Sequence, residues 1–122
     1  MSRQGAALAL LLALAACAPK ADAPAAMALD CAQGFDALKA KIIAQPGLVA
    51  APQEAAEPYR AYSSADGRAS YFVTEPAAPA HPAILMQQVT PQGMKNTGCS
   101  FGDKAAFQQL MSYLSGLAAG RK

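Results

Sequence analysis

The fold is decided by the stretch Tyr59-Arg-Ala-Tyr-Ser-Ser-Ala-Asp-Gly-Arg-Ala-Ser-Tyr-Phe-Val-Thr-Glu75. Two runs rich in aromatic and β-branched residues, Tyr59–Ser63 and Ala69–Glu75, flank a turn at residues 64–68. Asp66-Gly67 within that turn is a strong hairpin signal, because glycine adopts positive φ without steric cost. The stretch therefore predicts an antiparallel β-hairpin.

A third strand is predicted after the hairpin. The segment Glu75–Pro82 contains three prolines and is expected to be a loop or an irregular edge. The run Ala83–Thr90 fits a strand, and residues 91–93 then turn the chain. Alternation places apolar side chains on both faces of the predicted strands. In the second strand, Tyr71 and Val73 lie on one face and Phe72 on the other. In the third, Ile84 and Met86 lie on one face and Leu85 and Val89 on the other.

Two amphipathic helices are predicted, one before and one after the strands. Asp30 is a suitable N-cap for a helix over about residues 31–45, which Pro46-Gly47 ends. Asp103 caps a second helix that runs to about Ala119. Both segments carry an apolar stripe at helical spacing. The stripes are Cys31, Phe35, Leu38 and Ile42 in the first, and Phe107, Leu110, Met111, Leu114 and Leu117 in the second.

This order of helix, three strands and helix predicts a small α+β domain over residues 29–119. The expected arrangement has both helices packed on one face of a three-stranded antiparallel sheet. A chain of 122 residues has room for a single domain of this kind. Residues 120–122 are expected to form a short C-terminal tail.

The first sixteen residues differ from the rest in composition. Arg3 lies in a short polar start, and the run from Ala6 to Ala16 contains only alanine and leucine. A basic start, an apolar stretch of this length and small residues at its end are typical of a secretory signal peptide. As a helix the run rises about 16 Å, against a hydrocarbon core of about 30 Å. It is therefore too short to span a bilayer.

The end of the apolar run narrows the type of signal. Leu14-Ala15-Ala16-Cys17 resembles the lipobox of bacterial lipoproteins. The resemblance implies removal of residues 1–16 and attachment of diacylglycerol to the Cys17 thiol, often with a further acyl chain such as palmitate, and two chains anchor a protein stably. In that family an aspartate directly after the cysteine favours retention in the inner membrane. The resemblance therefore implies that Ala18, at this position, directs the protein to the outer membrane, facing the periplasm. The alternative is an ordinary signal peptide in which Cys17 is incidental. Residues 17–28 are expected to form a flexible tether.

The two other cysteines, Cys31 and Cys99, predict a disulfide, because an exported chain folds in an oxidising compartment. In the chain-entropy model a bridge across a loop of this length stabilises the fold by about 4 kcal/mol. A redox or metal-binding pair is the alternative. It is disfavoured because the chain has no Cys-x-x-Cys spacing and its one histidine is distant in sequence.

The charge distribution disfavours a nucleic-acid partner. Of the ten Lys and Arg residues, Arg3 falls in the predicted leader, which leaves nine against eight Asp and Glu. These cations are scattered, whereas nucleic-acid-binding proteins cluster them in patches. The expected partners are the membrane, through the lipid anchor, and an envelope protein.

His81 is the strongest single candidate for a functional residue. It lies in Pro79-Ala80-His81-Pro82, where a stiff backbone holds the ring in a fixed place. The alternative is a solvent-exposed loop histidine, which we favour. A Ser-His-Asp set has the residue types that it needs, but the Gly-x-Ser-x-Gly elbow is absent. The sequence therefore predicts no catalytic residue.

Three tyrosines on the predicted hairpin allow two interpretations. Tyr59, Tyr62 and Tyr71 form either an exposed aromatic patch for a partner or sheet-covering core residues with satisfied hydroxyls. We favour the core. The patch would mark a protein-binding surface.

Metal, cofactor and carboxylate sites are weaker hypotheses. Methionines suggest soft-metal binding, but two of the three fall at core positions, where packing explains them. Three glutamates lie in or beside predicted loops, with no signal that sets the spacing of a catalytic pair. Phosphate-binding glycine motifs are absent, so neither a cofactor nor a metal is expected. The residues concerned are Met86, Met94 and Met111, and Glu54, Glu57 and Glu75.

Taken together, these features favour a non-enzymatic binding or accessory module at the periplasmic face of a membrane. The first alternative is a domain that binds a small ligand or a lipid in a cavity between helices and sheet. The second is a small enzyme centred on His81.

Overall fold

A computed structural model describes residues 25–119 of the chain. A short 3-10 helix, Cys31–Gln33, precedes α1, Phe35–Ile43. Five strands follow, and α2, Lys104–Ala119, comes last. The strands are β1 Val49–Ala50, β2 Tyr59–Ser63, β3 Ala69–Thr74, β4 Ala83–Thr90 and β5 Gly93–Ser100. They form one sheet in the order β1-β2-β3-β4-β5, and each neighbouring pair is antiparallel.

The predicted hairpin is confirmed in β2 and β3, and its turn is held by side chains. The Ser64 hydroxyl donates to Asp66 Oδ1 at 2.6 Å, and the Arg68 amide donates to the same oxygen at 3.0 Å. The Ala69 amide donates to Ser64 Oγ at 3.1 Å. Gly67 has φ of +72°, a conformation that costs other residues free energy.

The prediction of three strands is wrong, because the sheet has five. The third predicted strand is β4 with the expected bounds, but β5 pairs with it from Thr90↔Gly93 to Ala83↔Ser100. β5 was concealed by its composition: Gly93-Met-Lys-Asn-Thr-Gly-Cys-Ser100 has two glycines and no alternating apolar residues. As an edge strand covered by a helix near one end, β5 does not need a strong apolar pattern. The two-residue β1 lies at the opposite edge.

The expectation that both helices pack on one face is also wrong, since they cover opposite faces. The core under α1 contains the side chains of Leu38 and Ile42. The core under α2 contains the side chains of Phe107 and Leu114. Alternation along β3 and β4 supplies both cores, as the apolar residues on each face of these strands indicate. The sheet residues are Tyr71, Val73, Ile84 and Met86 under α1, and Tyr59, Phe72, Ala83 and Leu85 under α2.

The first helix is interrupted where a continuous helix over residues 31–45 was predicted. Asp30 caps the 3-10 turn by accepting from the Ala32 amide at 3.1 Å. Gly34 then has φ of +83° and ψ of 165°, outside the helical region, and the α-helix restarts at Phe35. The predicted cap of the second helix is confirmed, because Asp103 Oδ2 accepts a hydrogen bond from the Ala106 amide at 2.8 Å.

The predicted disulfide between Cys31 and Cys99 is confirmed. The two residues are 68 positions apart in the chain, and their Cα atoms are 5.4 Å apart. Cys99 is buried in the core under α1, at the end of β5. The bridge therefore fixes the entry to α1 on an edge strand that the core holds only at this end.

The predicted leader, Cys17 and most of the predicted tether lie outside the described residues, as does the predicted tail at 120–122. The last residues of the predicted tether lie against the domain. Ala26 and Met27 pack against the core under α1, and the Tyr71 hydroxyl donates to the Met27 carbonyl at 2.6 Å. Within residues 25–119, no helix is long and apolar enough to cross a membrane.

Candidate functional site

His81 belongs to a compact group of contacts between the end of β3 and the start of β4. Its Nδ1 lies 3.0 Å from Thr74 Oγ1 and 3.2 Å from the Thr74 carbonyl. Because the carbonyl can only accept, this contact requires a proton on Nδ1. The imidazole also meets the Phe35 ring edge to face, with ring centroids 5.2 Å apart. His81 is half-buried, so the side chain is less exposed than a free loop histidine.

The hydroxyl within hydrogen-bond distance of His81 is that of Thr74, and it also forms hydrogen bonds with the backbone. The Ala83 amide donates to Thr74 Oγ1 at 2.9 Å, and Thr74 Oγ1 donates to the Ala83 carbonyl at 3.1 Å. Only 3% of Thr74 is exposed. A nucleophile needs a free lone pair and a route for substrate. The contacts of this threonine fit a structural tie between two strands.

The three tyrosines do not form one patch, because alternation sends them to different faces. Tyr59 packs in the core under α2, while Tyr71 and the half-buried Tyr62 lie on the α1 face. Tyr71 is fully buried. Burial raises the pKa of its hydroxyl above the ordinary value of 10.0. The structure thus places Tyr59 and Tyr71 in the cores.

The methionines are dispersed as well, and Glu75 lies apart from Glu54 and Glu57. Met86 is in the core under α1, Met111 packs against the core under α2, and Met94 is 48% exposed on β5. Glu75 accepts from Arg60 Nε at 3.0 Å, and this hydrogen bond holds the pKa of the Glu75 carboxyl below its usual value. Among the residues that the structure describes, no three His, Cys, Asp or Glu side chains form a group that could hold a metal ion.

The arrangement best suited to binding is a cavity beside α2, which we call the α2 groove. Its volume is about 230 Å³. The face of the sheet that α2 covers forms the floor, α2 forms one wall and the loop 51–58 forms the other. Sequence reasoning did not locate the α2 groove, because it placed both helices on one face of the sheet and the groove forms only when α2 covers the face opposite α1. The floor residues are Tyr59, Ala61, Phe72 and Gln87.

The walls of the α2 groove differ in chemistry. Leu114 and Leu117 face it from the helix, and Leu117 is 41% exposed although it belongs to the apolar stripe of α2. Glu54 and Glu57 face it from the loop. The groove therefore combines an apolar wall with a wall that carries two carboxylates.

Buried polar contacts fix α2 to the sheet beside the groove. Gln87 Nε2 donates to the Leu114 carbonyl at 2.7 Å, and Asn96 Nδ2 donates to Ser115 Oγ at 3.0 Å. Buried Asn96 Oδ1 has no hydrogen-bond partner among the described residues. The sequence offered one signal for these contacts, since Gln87 is a polar residue within the apolar run of β4. The contacts keep the helical wall in place.

A second cavity, of about 250 Å³, lies on the α1 side of the sheet. Lys39 and Ile43 of α1 line it, together with Arg60, Tyr62 and Glu75. Its charged lining residues are Lys39, Arg60 and Glu75, so one positive charge remains after Arg60 pairs with Glu75.

No protein family, curated protein or solved structure matches this chain.

Proposed function

We propose that this chain is a lipid-anchored binding module of the bacterial envelope, without catalytic activity of its own. The lipobox-like Leu14-Ala15-Ala16-Cys17 supports the anchor and the export. The Cys31–Cys99 disulfide supports an oxidising compartment, in which such bonds form and persist. Ala18 favours the periplasmic face of the outer membrane.

The observation that carries the binding role is the α2 groove. It is a concave site of about 230 Å³ with an exposed leucine on one side and two carboxylates on the other. Concave apolar surfaces with a few placed polar groups are the usual form of binding sites. An envelope protein is the proposed partner, and the groove is its proposed contact.

A second candidate function is the binding of a small ligand in the same groove. The groove has room for one small molecule within its volume of about 230 Å³, and this observation supports the alternative. Its aromatic floor and carboxylate wall also provide polar and apolar recognition together. An enzyme centred on His81 is a weaker candidate, since the Thr74 hydroxyl beside it is bonded to the backbone.

Lipid attachment is tested by metabolic labelling with an alkyne fatty acid. Cells that express the full chain are compared with cells that express Cys17→Ser. We expect label in the membrane fraction for the original chain and none for the variant, because serine offers no thiol to the lipid. Equal labelling of both chains, or none in either, would contradict the anchor.

The protein-binding role is tested by a photo-crosslinking residue placed in cells at two exposed positions. Leu117 lies in the α2 groove, and Lys41 lies on α1 at the other face of the sheet. We expect one discrete adduct from position 117, identified by mass spectrometry, and none from position 41. The same adducts from both positions, or no adduct at position 117, would count against a partner at the groove.

A further inference from the structure

We infer that the α2 groove binds a small organic cation, an ammonium group on a short apolar body. This inference rests on the second candidate function, in which the groove takes a small ligand. Four independent features of the groove carry it: charge, aromatic lining, rigidity and size.

The charge of the groove is negative. Glu54 and Glu57 are its charged lining residues, and no lysine or arginine lines it. The helical wall adds no charge, since Lys104 at the start of α2 is the only charged residue of that helix. Arg60 is adjacent in sequence to the floor but lines the cavity on the opposite face, paired with Glu75. A cation entering the groove therefore meets two carboxylates and no competing positive group.

The floor adds aromatic surface, chiefly from half-buried Phe72, because Tyr59 is only 4% exposed. Tyr59 and Phe72 pack edge to face, with ring centroids 5.6 Å apart and an interplanar angle of 82°. The negative face of an aromatic ring attracts ammonium groups, most strongly where water is excluded. The Tyr59 hydroxyl donates to Glu57 Oε2 at 3.2 Å, which joins the aromatic and the acidic parts of the lining.

The carboxylate wall is preorganised by hydrogen bonds at both ends of the loop. The Ala51 amide donates to the Ala61 carbonyl at 2.9 Å, and the Glu75 amide donates to the Pro58 carbonyl at 2.8 Å. Inside the loop, the Glu57 amide donates to the Glu54 carbonyl at 3.0 Å. A fixed loop reduces the entropy that binding would otherwise cost. These bonds hold the loop backbone in place, and the hydrogen bond from Tyr59 holds the Glu57 carboxylate, before a ligand arrives.

The size and the apolar wall set the body of the ligand. A volume of about 230 Å³ lies below the range of drug-sized pockets, roughly 300–1,000 Å³. Leu114 and Leu117 provide the surface against which a short alkyl chain or a single ring would pack. A polyamine or an alkylamine with one apolar end fits this chemistry, whereas an anionic lipid headgroup does not.

The test is a titration followed by amide NMR on the purified full chain carrying Cys17→Ser, which lacks the thiol of the predicted lipid site. Three probes of similar shape are compared: hexylammonium, hexanol and hexanoate. We expect hexylammonium to shift amides of residues 51–61 and 110–117, with hexanol at least about fivefold weaker and hexanoate without localised effect. Calcium chloride is added as a fourth probe.

Two matched variants separate charge from structure. Glu54→Gln with Glu57→Gln removes the carboxylates of the groove and keeps their size. We expect it to weaken hexylammonium binding about tenfold, the effect of losing two solvent-accessible ion pairs. Asp36→Asn neutralises one exposed carboxylate on α1, half the charge change of the double variant, and should leave binding unchanged. Unchanged amide spectra without ligand establish that both variants fold.

Each other outcome overturns the inference in a distinguishable way. Equal binding of hexanol and hexylammonium would leave an apolar ligand site and remove the cation. Localised binding of calcium in place of hexylammonium would assign the carboxylates to a metal ion. Absence of a localised shift with any probe would remove the small-ligand function as well, while the protein-binding role would still be decided by crosslinking at position 117.

Discussion

Thr74 shows how a single hydroxyl stabilises the passage between two strands. Its Oγ1 contacts the amide and the carbonyl of Ala83 and lies 3.0 Å from His81 Nδ1. A buried polar group without its partner costs more free energy than a hydrogen bond provides. The amide and the carbonyl of Ala83 therefore rely on the Thr74 side chain for these hydrogen bonds.

We expect Thr74→Val to lower the free energy of unfolding by about 1–3 kcal/mol, since valine keeps the shape and leaves the Ala83 groups without Oγ1. Urea unfolding followed by circular dichroism measures the change. Thr74→Ser retains the hydroxyl and is the control, with a smaller expected loss. A valine variant as stable as the serine variant would contradict the importance of these hydrogen bonds.

Tyr71 gives the fold a dependence on alkaline pH. Burial raises the pKa of its hydroxyl in the folded state above the ordinary value of 10.0. The stability that results is fully present below pH 10 and is lost as pH rises through the folded pKa, because the unfolded chain releases this proton first.

We therefore expect the free energy of unfolding of Tyr71→Phe to fall less steeply above pH 10 than that of the original chain. Chemical unfolding at a series of pH values from 8 to 11 measures the two slopes. Tyr113→Phe removes a phenol that is 55% exposed on α2 and serves as the control. Identical slopes for the original chain and Tyr71→Phe would show that the hydroxyl ionises alike in both states.

At the scale of elements, β5 and α2 are fitted together at Gly98. A Cβ at this position would lie 2.7 Å from Phe107 Cζ and 3.1 Å from the Ile84 carbonyl oxygen. Glycine at position 98 therefore permits the close approach of the helix to the edge strand. This explains the presence of a residue that otherwise weakens a strand.

We expect Gly98→Ala to destabilise the fold by about 1–3 kcal/mol, the usual effect of forcing an extra carbon into a packed site. Gly116→Ala is the matched control, because it adds the same carbon to α2 where nothing lies within 4 Å. It should stabilise the helix by about 0.5–1 kcal/mol. Thermal unfolding compares them, and two changes of the same sign would refute this packing account.

Sequence reasoning predicted those elements whose residues carry their own signal. The β2–β3 turn has Asp66-Gly67, β4 has an apolar run between turn residues, and α2 has a capped stripe from Asp103. β5 carries no such signal because its pairing is provided by β4 and its helix contact needs a glycine. In the sequence, Gly34 reads only as a weak position within a helix. The structure shows an interruption there because Gly34 has a positive φ.

The candidate site was less predictable than the fold for a similar reason. The α2 groove forms between a helix, a sheet face and a loop, which are distant in sequence. Both apolar faces of β3 and β4 were recognised, yet alternation alone does not say which helix covers which face. Glu54 and Glu57 acquire a role as lining residues only when the loop crosses the face that α2 leaves open.

At the scale of the whole molecule, the disulfide connects elements that are far apart in the chain. We expect reduction to lower the free energy of unfolding by about 4 kcal/mol, because the unfolded chain regains the freedom of a long loop. Denaturant unfolding with and without a reducing agent measures the loss. The variant Cys31→Ser with Cys99→Ser should match the reduced chain and should not respond to the reductant.

The hydrogen bond from Tyr71 to the Met27 carbonyl fixes the side of the domain on which the chain arrives from the proposed lipid site. Met27 packs on the α1 side of the sheet, and the α2 groove opens on the other side. The chain from Cys17 to Met27 spans at most about 35 Å when extended. With the proposed lipid on Cys17, we expect α1 to lie nearer the bilayer and the groove to open away from it.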